Sequence, residues 1–533
     1  MTHRLPSPSS AAASCDPGVT GSRDHSRRDL LKVAAGGLAG VAGWSAASAA
    51  AAEPASPWLL APGSAFGAGT MLELARRLAK APYAAPAGGD LPSALKGLTR
   101  EQYQAIRPAP GKAAWTADGH GFTVEPLLRG SVFSDPVELS LVVDGQVRPL
   151  PYDRAAFETD GLALPDLPEH RGHSGFRVRA PFEGGEPTEF ALFQGASFFR
   201  LLAKGQRFGV TARALTLRPA DTRGEEFPRF RAFAIAPPTA EGTLTVHALI
   251  DSESAAGALT LVLRPGALSV AEVSGTIVPR KAIDHLGLGG MQAAYLFGPH
   301  DRRGTDDARA GAYEATGLQI RNGAGEPIWR PVHNPETLQI SSFLDDGPKG
   351  FGLVQRARDY RDFEDDVQLW EKRPSLWLEP GDDWSKGAVT LLEIPSDSEF
   401  NENVLVYWRP AAPLAADAET PFRYRQSWGW DTPERAPVAR VSGTRSGHGS
   451  TGSQRLFLVD FTGDDLGPEG IEIALSASPG RIVSRTPYSY PDRRTLRVAF
   501  ELDPGGERAC ELRLALSRAG KRLTETWLYR WTP

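Results

Sequence analysis

Cysteine is nearly absent from this chain: two in 533 residues, Cys15 and Cys510. Cys15 falls in an N-terminal stretch that reads as removable, so the remainder keeps one thiol and no intrachain disulfide. Stability must then come from packing rather than covalent cross-links. Long apolar runs are also scarce. Beyond residues 33–52, no segment is long and uncharged enough to span a bilayer as a helix. Charge of one sign is missing too. The net charge of −5 is spread over mixed acidic and basic residues, which argues against nucleic acid or an anionic membrane surface as the main partner. The common catalytic signatures do not occur: no Gly-x-Ser-x-Gly elbow, no His-Glu-x-x-His, no phosphate-binding loop and no dinucleotide fingerprint after a strand. The ten histidines are scattered, and His300 beside Asp301 has no second histidine nearby. Neither a metal nor an organic cofactor is expected.

What the N-terminus does contain is Ser26-Arg27-Arg28-Asp29-Leu30-Leu31-Lys32, followed by an uncharged stretch of mostly Ala and Gly. An arginine pair in that frame reads as a twin-arginine export signal over residues 1–52, with small-residue cleavage sites at 47–49 and 50–52. The stretch is poor in the large aliphatics of a permanent span, although its length leaves an uncleaved anchor as the alternative. Export to the bacterial periplasm, in folded form, is the expected outcome.

The body of the chain reads as all-β. Short alternating runs such as 137–143 are separated by Gly, Pro and Asp turns, and 56 Gly with 44 Pro leave little room for long helices. Only 71–80 has good helical spacing. A Pro-rich break near 430–437, followed by alternation at 456–461, divides a large β-sandwich domain at 57–430 from about 95 residues at 437–533 that fit a small immunoglobulin-like sandwich. Cys510 lies in an alternating segment and is expected as a half-buried strand residue.

Aromatics interleave with charged groups through the second half of the large domain: Trp329 and Arg330, Trp370, Arg373, Trp377, Trp384, Glu399, Glu402, Tyr407 and Trp408. Sugar rings stack on flat aromatic faces, and their hydroxyls take hydrogen bonds from Arg and carboxylates. Two placed carboxyl groups suffice for glycoside chemistry. The competing reading is that tryptophans in an all-β protein fill the core.

Several ordered blocks carry a resemblance. They are Phe193-Gln194-Gly195-Ala196-Ser197-Phe198-Phe199-Arg200, Gly205-Gln206-Arg207-Phe208-Gly209 and Gly224-Glu225-Glu226-Phe227-Pro228-Arg229-Phe230. Trp329-Arg330-Pro331, Gly350-Phe351-Gly352-Leu353-Val354-Gln355-Arg356, Arg373-Pro374-Ser375-Leu376-Trp377 and Leu392-Glu393-Ile394-Pro395 follow. In this order the chain closely resembles the bacterial glucans biosynthesis proteins G and D over essentially its whole length past the leader, and the twin-arginine leader resembles the D branch. The resemblance implies a large galactose-mutarotase-like sandwich followed by an immunoglobulin-like domain. It also implies β-1,2-linked glucan as substrate, an inverting endo-glucanase or transglycosylase activity, membrane glucan synthase machinery as a partner, and a homodimer.

The same resemblance places the acid, an Asp in the family, on Glu402 and its partner, also an Asp there, on Glu314. A cleft Tyr becomes Trp370, Arg373 is kept, and Trp329 joins them as a groove-lining residue. Each catalytic substitution keeps the carboxyl but lengthens the side chain by one methylene. Two functions are therefore carried forward: an enzyme with a reshaped cleft, and a non-catalytic glucan-binding protein. In the enzyme reading Glu402 is expected in an apolar pocket walled by residues 404–408, with Glu314 activating water.

Overall fold

Alternating apolar and polar side chains place one face of each strand in a core, and the chain follows that rule almost throughout. Leu244–Asp251, Ala255–Arg264 and Leu268–Pro279 form an antiparallel meander through the tight connections 252–254 and 265–267. The computed structural model describes residues 58–533 apart from 87–89, 116–120, 184, 303–304, 383 and 434. The twin-arginine leader expected at 1–52 lies outside the described residues. The expected helix is present as Thr70–Ala79, and it buries Met71, Leu74, Ala75 and Leu78 against the outer face of that meander.

Two large sheets, one of fifteen strands and one of ten, face each other across the main core. Phe176 and Phe199 of the ten-stranded sheet meet Phe233 and Trp428 of the fifteen-stranded sheet, with ring centroids 5.0 and 6.0 Å apart. A smaller core at the C-terminal end is enclosed by a four-stranded sheet on one side and by Glu472–Ser478, Cys510–Arg518 and Thr526–Trp531 on the other. Phe457, Phe500, Trp527 and Tyr529 fill it. Those last three strands continue the fifteen-stranded sheet, because Thr526–Trp531 pairs in parallel with Pro327–Pro331 (Ile328 opposite Thr526, Trp329 opposite Trp527). The two cores thus share a sheet. Cys510, expected half-buried, is fully buried at the head of its strand.

Most of the described tryptophans serve the core. A Cβ on Gly317 would lie 2.6 Å from Cζ2 of Trp329, and one on Gly387 would lie 2.4 Å from Cζ2 of Trp408. Each indole lies across a glycine of the neighbouring strand, where any larger residue would collide with it. Trp329, Trp370, Trp377, Trp384 and Trp408 are all buried. The sugar-stacking expectation for Trp329 and Trp370 is therefore corrected. With 2 % of each residue exposed, neither offers a ring face to a ligand.

Candidate active site

Four adjacent strands of the ten-stranded sheet, Phe198–Leu201, Thr211–Arg213, Leu286–Ala293 and Val404–Pro410, build the candidate site. Their apolar residues (Phe199, Leu201, Ala212, Met291, Val404 and Val406) point into the main core. By the period of two, Phe198, Arg200, Thr211, Arg213 and Gln292 stand on the opposite face. Glu402, just ahead of the fourth strand, reaches over this polar row. Its Oε1 accepts hydrogen bonds from Arg200 Nη2 at 2.9 Å and from the Thr211 hydroxyl, and its Oε2 accepts one from Gln292 Nε2.

The apolar pocket expected around Glu402 is not what surrounds its carboxyl group. Leu405 and Tyr407 pack with Leu392 and Ala220 in a small cluster of their own. Three donors, one of them a guanidinium, hold Glu402 instead.

Glu314 occupies the opposite kind of setting. It is 9 % exposed, and one backbone N–H, from Ala294, donates to its Oε2 at 3.1 Å. The Arg373 Nη1 stands 3.9 Å from Oε1. Burial raises the Glu314 pKa above the ordinary carboxyl value. The Glu402 charge adds to that rise, while Arg373, Arg200 and the Ala294 N–H oppose it. The two carboxyls are therefore close enough to feel each other, and Glu314 is the one biased towards keeping a proton.

One strand end aligns both. Gln292 bonds Glu402, Ala294 exchanges a backbone and a side-chain contact with Glu314, and the Tyr295 N–H donates to Asn403 Oδ1 at 2.8 Å. Asn403 in turn donates to the Ile394 carbonyl at 3.0 Å, which pins the segment carrying Glu402. Tyr295 also stacks on Tyr313, the neighbour of Glu314, at 5.2 Å.

Arg373 stays in the site, propped rather than free. Its guanidinium carbon lies 5.2 Å above the Trp370 ring, and Nη2 donates to both the backbone and side-chain oxygens of Gln368. Trp370 Nε1 donates to Asp365 at 3.0 Å, and Asp365 shares Arg309 with Glu399. Trp370 thus supports Arg373 from beneath. Trp329 belongs elsewhere. Its ring carries Arg356 at 3.5 Å, and Arg356 makes a two-pronged pair with Glu525 at the junction of the two cores.

Similarity to known proteins gives the family of the chain. A family model described as "Periplasmic glucan biosynthesis protein, MdoG" matches residues 66–531. The chain belongs to that family. It is 41% identical over 468 residues to glucans biosynthesis protein G of Bradyrhizobium diazoefficiens, covering 86% of this chain and 92% of that protein. The protein of the same name from Vibrio cholerae is 40% identical over 470 residues, 87% of this chain and 86% of the relative. That of Shewanella sp. (strain ANA-3) is 38% identical over 474 residues, 88% and 87% respectively. This is the glucans biosynthesis G and D group that the ordered blocks resemble.

The candidate site does not coincide with the widest of the described cavities. That cavity, about 950 Å³, lies between the two cores, is lined by Arg358, Trp430, Arg440 and Lys521 among others, and touches neither carboxyl. Among the described residues no cluster of three or more His, Cys, Asp or Glu could hold a metal. His300 donates to or accepts from local groups only, with Nε2 2.8 Å from the Val332 carbonyl. Sequence reasoning missed Arg200, Thr211, Arg213 and Gln292. The alternation Phe198, Arg200 and Thr211, Arg213 was the available signal that these residues share a solvent-side face.

Proposed function

We propose that this protein is a periplasmic enzyme that cleaves or transfers β-1,2-linked glucan, with Glu314 and Glu402 as its reacting pair. The observation that supports this most is the unequal setting of two neighbouring carboxyls keyed to one strand end. One is buried with its pKa raised, and the other is held by three donors. Glycoside cleavage needs that inequality. The assignment of roles expected from the resemblance is reversed in this reading. Glu314 protonates the departing glycosidic oxygen as the bond to the anomeric carbon breaks, and Glu402 takes a proton from the attacking water. A glucan hydroxyl in place of that water yields transfer instead of hydrolysis. Attack from the face opposite the leaving group inverts the anomeric centre. Arg373 carries over as a substrate-binding residue and also limits the charge at Glu314.

The second reading, a glucan-binding protein without turnover, is favoured by one feature: Glu402 already has three protein donors satisfying it. Incubation of the mature protein with linear β-1,2-glucan, followed by separation of products by chain length, decides between them. Shorter or rearranged chains that accumulate in the presence of a chelator support the enzyme. Binding without any product after hours supports the alternative. Homodimerisation and contact with membrane glucan synthase machinery carry over from the resemblance. Export through the twin-arginine route belongs to the same proposal. Replacing Arg27 and Arg28 together by Lys should leave precursor in the cytoplasm, and normal periplasmic accumulation would refute it.

A further inference from the structure

Most aromatic rings in this molecule are buried, and Phe227 is an exception beside the candidate site, with 41% of its surface exposed. The ring is not a loose loop tip. Glu226, the preceding residue, is buried and accepts bonds from the Ser254 N–H and hydroxyl, both at 2.6 Å, and from Arg218 at 3.1 Å. The Glu226 N–H returns to the Leu217 carbonyl at 3.1 Å, and Arg229 on the other side pairs with Asp135. The backbone is tied down on both sides of an exposed apolar ring, an arrangement that costs hydration without adding to the core.

The surroundings of Phe227 complete a recognisable surface. Phe198 meets it edge to face at 6.4 Å, and the Arg213 guanidinium lies within 5.3 Å of one ring and 5.7 Å of the other. Arg213 pairs with Glu225 and donates through Nε to Gln292 Oε1 at 2.6 Å. The amide of the same Gln292 donates to Glu402. The Arg213 guanidinium, held by Glu225, lies over one side of the Phe227 ring, and the exposed remainder of that ring is a stacking surface with polar groups beside it. That is the complement of a pyranose, which has C–H groups on its faces and hydroxyls around its rim. Phe400, the other exposed phenyl near Glu402, already carries Arg100 at 4.4 Å from its ring centre.

We propose that Phe227, with the Arg213–Glu225 pair, is a glucosyl-binding subsite on the Glu402 side of the reaction centre. Through Gln292, a sugar seated there is linked by two hydrogen bonds to the carboxylate that handles the attacking group. This inference rests on the glucan reading above, and its test separates the two. Binding of linear β-1,2-gluco-oligosaccharides of increasing length is measured by calorimetry on a Glu314→Gln protein, which is expected to bind without turnover. Adding Phe227→Ala should weaken the longer oligosaccharides about tenfold and leave the shortest bound ones nearly unchanged. Phe227→Trp should restore affinity, whereas Phe227→Leu, apolar but not flat, should not. Unchanged melting temperature in all three shows that the fold is intact. Equal affinity in the parent and Phe227→Ala proteins, or rescue by Leu as good as by Trp, overturns the subsite while leaving the glucan reading in place. A parent protein that binds none of these oligosaccharides overturns the glucan reading and the subsite with it.

Discussion

The junction around Trp329 and the exposed surface around Phe227 use the same ingredients to opposite ends. Both set an aromatic ring against an arginine that is paired with a glutamate: Trp329 with Arg356 and Glu525, Phe227 with Arg213 and Glu225. At the junction the ring lies over Gly317, the ion pair is almost fully buried, and the surface formed joins two cores. At the second the ring faces water and the ion pair connects through Gln292 to Glu402. Residue type and local charge pattern do not separate these cases. What separates them is the neighbouring strand, which offers a glycine in one and a polar row in the other.

The largest expected effect comes from the junction. Trp329→Ala opens a cavity where two cores meet and should cost about 3–5 kcal/mol of folding stability in urea titrations, while Phe227→Ala should shift stability by under about 0.5 kcal/mol. A reversal of that order would break the comparison.

Acid should find the junction next. Beside Trp329, Arg330 donates to Glu393 at 3.0 Å. Despite its burial, Arg330 and His333 lower the Glu393 carboxyl to about 2 from its ordinary 4.5. A lowered carboxyl contributes stability that is fully present above its unfolded value and is lost as pH falls from 4.5 towards 2. His173 and His285 are held neutral by burial, at about 4 against 6.5. Each disfavours the folded state as pH falls below 6.5, because the unfolded chain takes up the proton first. Burial raises the Glu138 carboxyl to about 7 and raises Glu314 as well, so in the folded state both take up protons first and offset the histidines between pH 7 and 4.5. The melting temperature should therefore fall chiefly below about pH 4.5, and a flat profile below that pH would contradict the Glu393 assignment.

Smaller in free energy, and confined to the cleft, is the loss of the Arg200 contact. Arg200→Met removes a charged hydrogen bond worth about 1.5–3 kcal/mol, so kcat/KM on glucan should fall roughly 10- to 100-fold with little change in melting temperature. Loss of fold with activity per folded molecule preserved would make Arg200 structural.

Much of this architecture was legible in the sequence, because alternation is a local property. The strand Arg455–Thr462, the helix Thr70–Ala79 and the all-β body follow from side chains a few residues apart. The two carboxyls were reachable only through resemblance. Their unequal settings were not reachable, since these depend on how deeply Glu314 is buried and on the donors that reach Glu402 from distant strands. Arg200 and Glu402 are 202 residues apart in the chain. The burial of Trp329 and Trp370 was misjudged for a related reason. Cross-strand glycines that receive an indole face, and an Asp365 that takes an indole N–H, are visible only once the strands are paired. The sheet shared by the two cores was hidden as well, because it hangs on one parallel pairing between Pro327–Pro331 and Thr526–Trp531.

The central claim, that Glu314 is the proton donor of an unequal carboxyl pair, is tested most directly by Glu314→Gln assayed on two substrates. One is linear β-1,2-glucan, whose leaving oxygen needs a proton, and the other is a β-1,2-gluco-oligosaccharyl fluoride, whose leaving group does not. The account predicts a loss of at least about a hundredfold on glucan. It also predicts loss of the fall in kcat/KM that the wild-type protein shows as pH rises through the Glu314 pKa, and less than about a tenfold loss on the fluoride. Equal losses on both substrates, or wild-type turnover of glucan by Glu314→Gln, would contradict it.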